Sequence, residues 1–196
     1  TSVLSMSGST ITAGSAVVFE SANSLYNSVT MLTSTTAIVV YTDTGNSYRG
    51  TACLLTVSGS TVTAGTPMVF RSSNSQWITV ATLSDTKVIV MFRLGNGYVT
   101  SCVLTISGSS ISAGAVVSFN SGASEYISVA VLNPEKVIVA YMDDGDSKKG
   151  KALVLTISGS TVSSGSAWDI FTFNNADTRW IAIAKITNTQ AIVSYM

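Results

Sequence analysis

Four large aromatics recur at one position of a repeated sequence: Tyr26, Trp77, Tyr126 and Trp180. The residues just before them differ, being Leu25, Gln76, Glu125 and Arg179, and ahead of those stand Asn23, Asn74, Ala123 and Asp177. An aromatic face beside an amide, a carboxylate or a guanidinium suits a sugar ring, which offers an apolar face and a rim of hydroxyls. A constant ring with changing neighbours lets one frame present different polar groups. Large aromatics at repeated positions also serve as packing between units, and the sequence leaves both readings open.

Other chemistry is narrowed by what is missing. The chain has no histidine, which removes His-based triads, His general bases and His-ligated metals and leaves carboxylate, Lys or Tyr chemistry. Most carboxylates, Asp43, Asp85 and Glu135 among them, fall in expected turns or crossings, where solvated turn residues are the rule. A glycosidase needs two carboxylates facing one sugar within roughly 5–10 Å, and no such pair is visible. The arginines a sialidase-like site would cluster (Arg49, Arg71, Arg93, Arg179) occupy four different repeat positions. The expectation is no enzyme and no catalytic residue. Asp143-Asp144-Gly145-Asp146 offers several oxygens from one loop, as calcium sites do. It lacks EF-hand spacing, and Lys148, Lys149 and Lys151 follow at once, so a solvated, mixed-charge tip is expected, with no metal and no cofactor.

Ten basic and ten acidic residues cancel, leaving no basic stripe to displace counterions from a phosphate backbone, so a nucleic-acid partner is not expected. No apolar run reaches the roughly 18 residues a membrane helix needs, so membrane insertion is not expected either. Only 10 % of residues are charged, against about 25 % in an average domain. A Ser/Thr-rich chain of this kind suits an extracellular, cell-surface or virion setting. Thr1-Ser2-Val3-Leu4 lacks an initiator Met and a charged leader, which reads as a processed product or an excerpt.

The elements that must position the aromatics follow from the repeat. Leu4, Leu55, Leu104 and Leu155 are equivalent, at spacings of 51, 49 and 51, a period typical of propellers or arrays. Each repeat divides into four β-type runs, 51–57, 61–70, 77–83 and 87–93 in the clearest copy, rich in Val, Ile, Thr and aromatics. A Ser-Gly-Ser corner makes a hairpin of the first two. The polar segments 20–24, 71–75 and 120–124 lack hairpin chemistry and are placed as crossings between units. A unit then runs third, fourth, first, second strand from the inside out, with the aromatic opening the innermost strand. Small residues such as Ser28, Thr79, Ser128 and Ala182 suit a crowded centre. Cys53 and Cys102 share one position among apolar neighbours and read as small buried hydrophobes. Tyr41, Phe92, Tyr141 and Tyr195 read as core, as do Phe19, Phe70, Phe119 and Phe173. The fourth repeat carries an insertion around Trp168, either a β-bulge or a partner contact.

Met196 is equivalent to Thr42 and Thr1 to Ala52. The last two strands and the first two would therefore complete one sheet, hiding the edges. Over its whole length the chain resembles β-propeller repeat proteins. It shares with Asp-box propellers the turns Asp43-Thr44-Gly45-Asn46-Ser47-Tyr48 and Asp143-Asp144-Gly145-Asp146-Ser147, which approximate S-x-D-x-G-x-T-W. Tyr41 and Tyr141 stand where the leading Ser belongs, Arg93-Leu94-Gly95-Asn96-Gly97 lacks the Asp, and the fourth repeat lacks the loop. In that family the box is a structural turn and implies no activity. The repeat style is similar to that of propeller lectins and of fibre and surface proteins of marine microbes and their viruses.

The expected fold is all-β, a four-bladed propeller with four antiparallel strands per blade, the blades at 25–70, 75–119, 124–173 and 178–196 plus 1–19. The expected function is a non-catalytic, lectin-like recognition module for a glycan or cell-surface receptor. It would act through Tyr26, Trp77, Tyr126 and Trp180 with Gln76, Glu125 and Arg179. The alternative is a structural or adhesive segment of a longer extracellular or phage fibre, within a larger array or a homo-oligomer.

Overall fold

The computed structural model describes residues 1–164 and 169–196, so the insertion around Trp168 lies outside the described residues. What is described is all-β and antiparallel, apart from two short 3-10 turns at Thr44–Asn46 and Asp144–Asp146. An N-terminal hairpin, β1 (Leu4–Ser7) and β2 (Thr10–Ala13), comes first. The first unit follows: β3 (Ser24–Met31), β4 (Thr36–Asp43), β5 (Arg49–Ser58), β6 (Thr61–Ala64) and the start of β7 (Met68–Ser84). The rest of β7 opens the second unit, with β8 (Lys87–Leu94), β9 (Val99–Ser107), β10 (Ser110–Ala113) and β11 (Val117–Ser118). The third contains β12 (Ser124–Asn133), β13 (Lys136–Asp143), β14 (Lys149–Ser158), β15 (Thr161–Ser164) and β16 (Phe171–Asn174). A last hairpin, β17 (Ala182–Lys185) and β18 (Ala191–Ser194), closes the chain.

Each unit pairs in the inside-out order read from the sequence, β3-β4-β5 with β6 and β7 both on the outer edge of β5. The Ser-Gly-Ser corners turn on Gly8, Gly59, Gly108 and Gly159, whose φ values of 59, 58, 59 and 62° explain the glycine. Consecutive units are tied where a loop meets the next inner strand. The Ser75, Ser124 and Thr178 amides donate to the Tyr48, Gly97 and Lys148 carbonyls at 2.9, 3.1 and 2.9 Å. These three Ser/Thr residues are fully buried, and their hydroxyls satisfy the crossing backbone, Ser75 donating to Ser73 and Thr178 to Ala176.

The sheets stack face to face, which explains why the fourth run of each repeat is apolar on both sides. Along β4, Ala37, Val39 and Tyr41 pack toward the N-terminal hairpin, beside Val3, Val17 and Phe19. The alternate residues Ile38 and Val40 pack toward the second unit, against Val80, Val88 and Phe92. Ile89 and Met91 repeat this toward the third unit, and Ala140 and Met142 toward Ile181 and Val193 of the last hairpin. Strands covered on two faces need apolar residues at odd and even positions alike, as in buried parallel sheets. Full burial of each such side chain is worth roughly 1.5–3 kcal/mol. Cys53 and Cys102 are unpaired and fully buried among these layers, as read from the sequence.

Two expectations are corrected. The terminal strands do not complete one sheet: β1–β2 and β17–β18 are separate two-stranded sheets with no pairing between them among the described residues. The reason is where each hairpin packs, the first on the outer side of unit one and the last on the outer side of unit three. Nor are the turn carboxylates simply solvated. Asp43 and Asp143 are buried, each with Oδ1 lacking a hydrogen-bond partner among the described residues, while Glu20 accepts the Tyr41 hydroxyl at 3.0 Å.

Candidate functional site

Each recurring aromatic sits in a left-handed backbone conformation: φ is 52° at Tyr26, 51° at Trp77, 51° at Tyr126 and 53° at Trp180. Bulky residues rarely adopt this state, and holding one there costs on the order of 1–3 kcal/mol. The pairing register explains the geometry. Leu25 opposes Thr42 but Ser28 opposes Val40, so two residues face one, and the same shift recurs between Gln76 and Thr79 and between Glu125 and Ser128. This is a β-bulge, which re-aims the side chain at its head.

The bulge places the rings in a row across the units. Ring centroids lie 5.3 Å apart for Tyr26 and Trp77, 4.8 Å for Trp77 and Tyr126, and 5.1 Å for Tyr126 and Trp180. The planes are inclined by 35, 55 and 58°, and tilted or offset pairs of this kind contribute about 0.5–1.5 kcal/mol each beyond burial. The middle rings are half-buried and Trp180 at the end is 65 % exposed. The four aromatics thus form an open row, with no contact between Trp180 and Tyr26 among the described residues. Ring stacking accounts for part of the aromatic conservation of position, and the row also leaves aromatic surface at one end.

The polar neighbours gather beside this row. Gln76 opposes Arg93 in the β7–β8 register, and Arg93 reaches across to Glu125 of the next unit at 2.9 Å. Glu125, Tyr126, Met142, Asp144, Lys148 and Arg179 then line a cavity of about 300 Å³ between the third unit and the last hairpin. Arg179 makes a two-point pair with Asp177, Nε to Oδ1 at 3.0 Å and Nη2 to Oδ2 at 2.8 Å. That hydrogen bonding holds the Asp177 carboxyl below its usual range and pushes the Arg179 guanidinium up. Of the sequence-predicted residues, Glu125, Tyr126 and Arg179 line this cavity; Trp77 and Trp180 flank Tyr126 in the row, Gln76 precedes Trp77, and Tyr26 lies at the far end beside Leu25.

Sequence reasoning missed Arg93, Met142, Asp144 and Lys148. Counting the antiparallel register back from the short turns would have placed Arg93 opposite Gln76 and Met142 opposite Glu125. Lys148 lines the cavity from a left-handed backbone position, φ 62°, in a loop whose sequence predicts a solvated tip. Of the acidic cluster, Asp144 lines the cavity and Asp146 is engaged elsewhere. Asp146 pairs with Lys149 and Lys151 at 2.9 and 2.6 Å, which holds its carboxyl below the usual range.

No protein-family model matches the chain, and no curated protein matches it. Among solved structures it is similar to the NanB sialidase from Streptococcus pneumoniae, in complex with 2-[(3-chlorobenzyl)ammonio]ethanesulfonate. The TM-score is 0.61 at 16 % sequence identity, over 85 % of this chain and 26 % of that one. The chain therefore spans about a quarter of that structure's length. At this identity the likeness speaks of fold. It fits a propeller-like arrangement of antiparallel sheets. The expectation of no enzyme is corrected to this extent: the structural neighbour that shares the fold is a sialidase, so the fold carries no such exclusion. The physical ground for that expectation was the lack of histidine and of converging carboxylates. The cavity brings Glu125 and Asp144 together with Tyr126 and Arg179, groups whose chemistry needs no imidazole.

Proposed function

We propose that this chain is an arc of propeller blades that engages carbohydrate at the polar cavity beside Tyr126, with Trp180 as the exposed stacking platform. The observation that carries the reading is the convergence on one polar cavity of a tyrosine, two carboxylates, an ammonium and a guanidinium, with the exposed Trp180 ring next to that tyrosine in the row. Sugars are held by this combination, the ring stacked on an aromatic and the hydroxyls bonded to charged groups at its rim. The fold likeness to a sialidase, a carbohydrate-processing protein, supports the same class of ligand. The Ser/Thr-rich, weakly charged composition supports a secreted, cell-surface or virion setting, where a glycan or a glycosylated receptor would be the partner.

A glycan array probed with the 196-residue chain tests this, followed by Trp180→Ala and Glu125→Gln on any ligand found. Loss of at least tenfold in affinity from either substitution is expected, since each removes about 1.4 kcal/mol or more of a small site's contacts. An array without hits, or binding indifferent to both substitutions, removes the reading.

A second reading, hydrolysis at that cavity, is favoured by Glu125, Asp144 and Tyr126 lining it together. Glycosidases flank the scissile bond with two carboxyl groups, and sialidases use a Tyr nucleophile. Release of a chromophore from aryl glycosides, abolished by Tyr126→Phe and by Glu125→Gln, would establish turnover. Release that survives both substitutions places the chemistry elsewhere.

A further inference from the structure

The charges around the cavity beside Tyr126 are not equally available. Arg179 spends two arms of its fork on Asp177, Nε to Oδ1 at 3.0 Å and Nη2 to Oδ2 at 2.8 Å. Arg93 Nη1 donates to Glu125 Oε1 at 2.9 Å. Lys148 shares the Asp177 carboxylate at longer range. The Thr178 amide donates to the Lys148 carbonyl at 2.9 Å, which sets the Lys148 loop beside Asp177 and Arg179. The Asp177 carboxyl is held down first by the Arg179 hydrogen bonds and then by attraction to Arg179 and Lys148. Glu125, Asp144 and Asp177 thus stand against Arg93, Lys148 and Arg179, and the cluster carries no net charge.

The repeat ties the carboxylate to the guanidinium. At the position of Arg179 the other units have Leu25, Gln76 and Glu125, and at the position of Asp177 they have Asn23, Asn74 and Ala123. A carboxylate stands at the second position only where a guanidinium stands at the first. Both side chains are about half exposed, at 44 and 47 %, and an exposed pair adds little to stability. Its effect lies in the field at the cavity.

A carboxylate or sulfate is recognised by an open guanidinium fork with two parallel N–H donors. Here Asp177 closes that fork, and an acidic group entering the cavity would also meet Asp144 and Glu125. Like charges brought together at a binding site reject the wrong partner. An uncharged sugar meets no such penalty. Its hydroxyls accept from the N–H groups left over on Arg179 and Lys148 and donate to the oxygens left over on Asp144 and Glu125.

Building on the carbohydrate reading of this cavity, we propose that the site selects uncharged sugars over acidic ones, and that Asp177 sets the preference by capping Arg179. Asp177 acts through the guanidinium and is a positioning residue.

The test uses the 196-residue chain and two variants, with folding checked by circular dichroism. Affinity is measured for matched probes, galactotriose against trigalacturonate and N-acetyllactosamine against its sialylated form. The native chain should bind the neutral member of each pair about tenfold more tightly. That binding should change by less than about twofold between about 0.01 and 1 M salt, since there is no net field to screen. Asp177→Asn keeps the shape and removes the charge. It should tighten the acidic probes by about tenfold, with a new salt dependence, and leave the neutral ones within about threefold. Asp85→Asn makes the same change of charge in the exposed turn between β7 and β8 and should move neither class. Preference of the native chain for the acidic probes would overturn the proposal and leave the carbohydrate reading standing. So would an unchanged preference in Asp177→Asn, or an equal shift in Asp85→Asn. Binding of neither class by the native chain removes the carbohydrate reading and the selection with it.

Discussion

Val29 and Val80 hold one position of the repeat, as do Ile38 and Ile192, yet in each pair one residue is buried and the other lies largely in solvent. The strands around them have similar residues and the same pairing. The difference is the neighbour: interior sheets are covered on both faces, whereas β3 and the last hairpin are each bare on one. Stability in this chain therefore resides in the joints between layers rather than in the layers, as for other quasi-one-dimensional repeat proteins. A repeat's residues state what it can bury, and its place in the stack decides whether it does.

The widest gap between middle and end is expected for one substitution made twice. Ile38→Ala should cost about 3 kcal/mol in urea unfolding, from lost transfer and a residual cavity, and Ile192→Ala less than about 0.5 kcal/mol. Equal losses would mean that the last hairpin is covered in solution. The aromatic row gives a smaller contrast. Trp77, stacked between two rings, should lose about 2 kcal/mol as Ala. At Trp180 the left-handed backbone should make Trp180→Gly more stable than Trp180→Ala by about 1 kcal/mol. The reverse order there would show that φ is relaxed when the ring is gone.

Two tyrosines sharpen the comparison at the level of one hydroxyl. Tyr41 donates to Glu20, whereas the buried Tyr141 hydroxyl has no hydrogen-bond partner among the described residues. Tyr41→Phe should cost about 1 kcal/mol and Tyr141→Phe should be neutral or stabilising by up to about 1 kcal/mol. Matching losses would place an acceptor near Tyr141. The smallest effect is a pH dependence. Burial pushes the Cys102 thiol up to about 12, against about 8.5 for an unfolded chain. A raised folded value keeps its contribution whole below about pH 8.5, and that contribution is lost as pH rises toward 12. Tyr41 and Tyr141, also raised by burial, act in the same direction. The thermal midpoint should fall over this alkaline range, and less steeply in Cys102→Ala. An identical slope in that variant would assign the loss to the tyrosines.

Much of the fold was legible because the repeat states each position four times. The period, the Gly-based corners, the polar crossings and the apolar fourth run were enough to order the strands. Closure was not legible. Equivalence of Met196 with Thr42 and of Thr1 with Ala52 says which strands could pair, but the rotation between successive sheets depends on how Val80 seats on Ile38, which no pattern encodes. The aromatic row was legible as a recurring position. Its backbone was not, since positive φ is signalled by glycine and here the residues are Tyr and Trp. The cavity was half legible. Glu125, Tyr126 and Arg179 stood out beside the aromatics, whereas Lys148 and Asp144 reach it through a 3-10 turn whose sequence reads as an ordinary polar tip.

β7 runs from Met68 to Ser84 without interruption, ending one sheet and beginning the next. Between the second and third sheets the strand instead ends at Ser118 and the next begins at Ser124. Under tension the first pair would be loaded in shear along a common girder and yield together, and the stretch around Gly122 would pay out first.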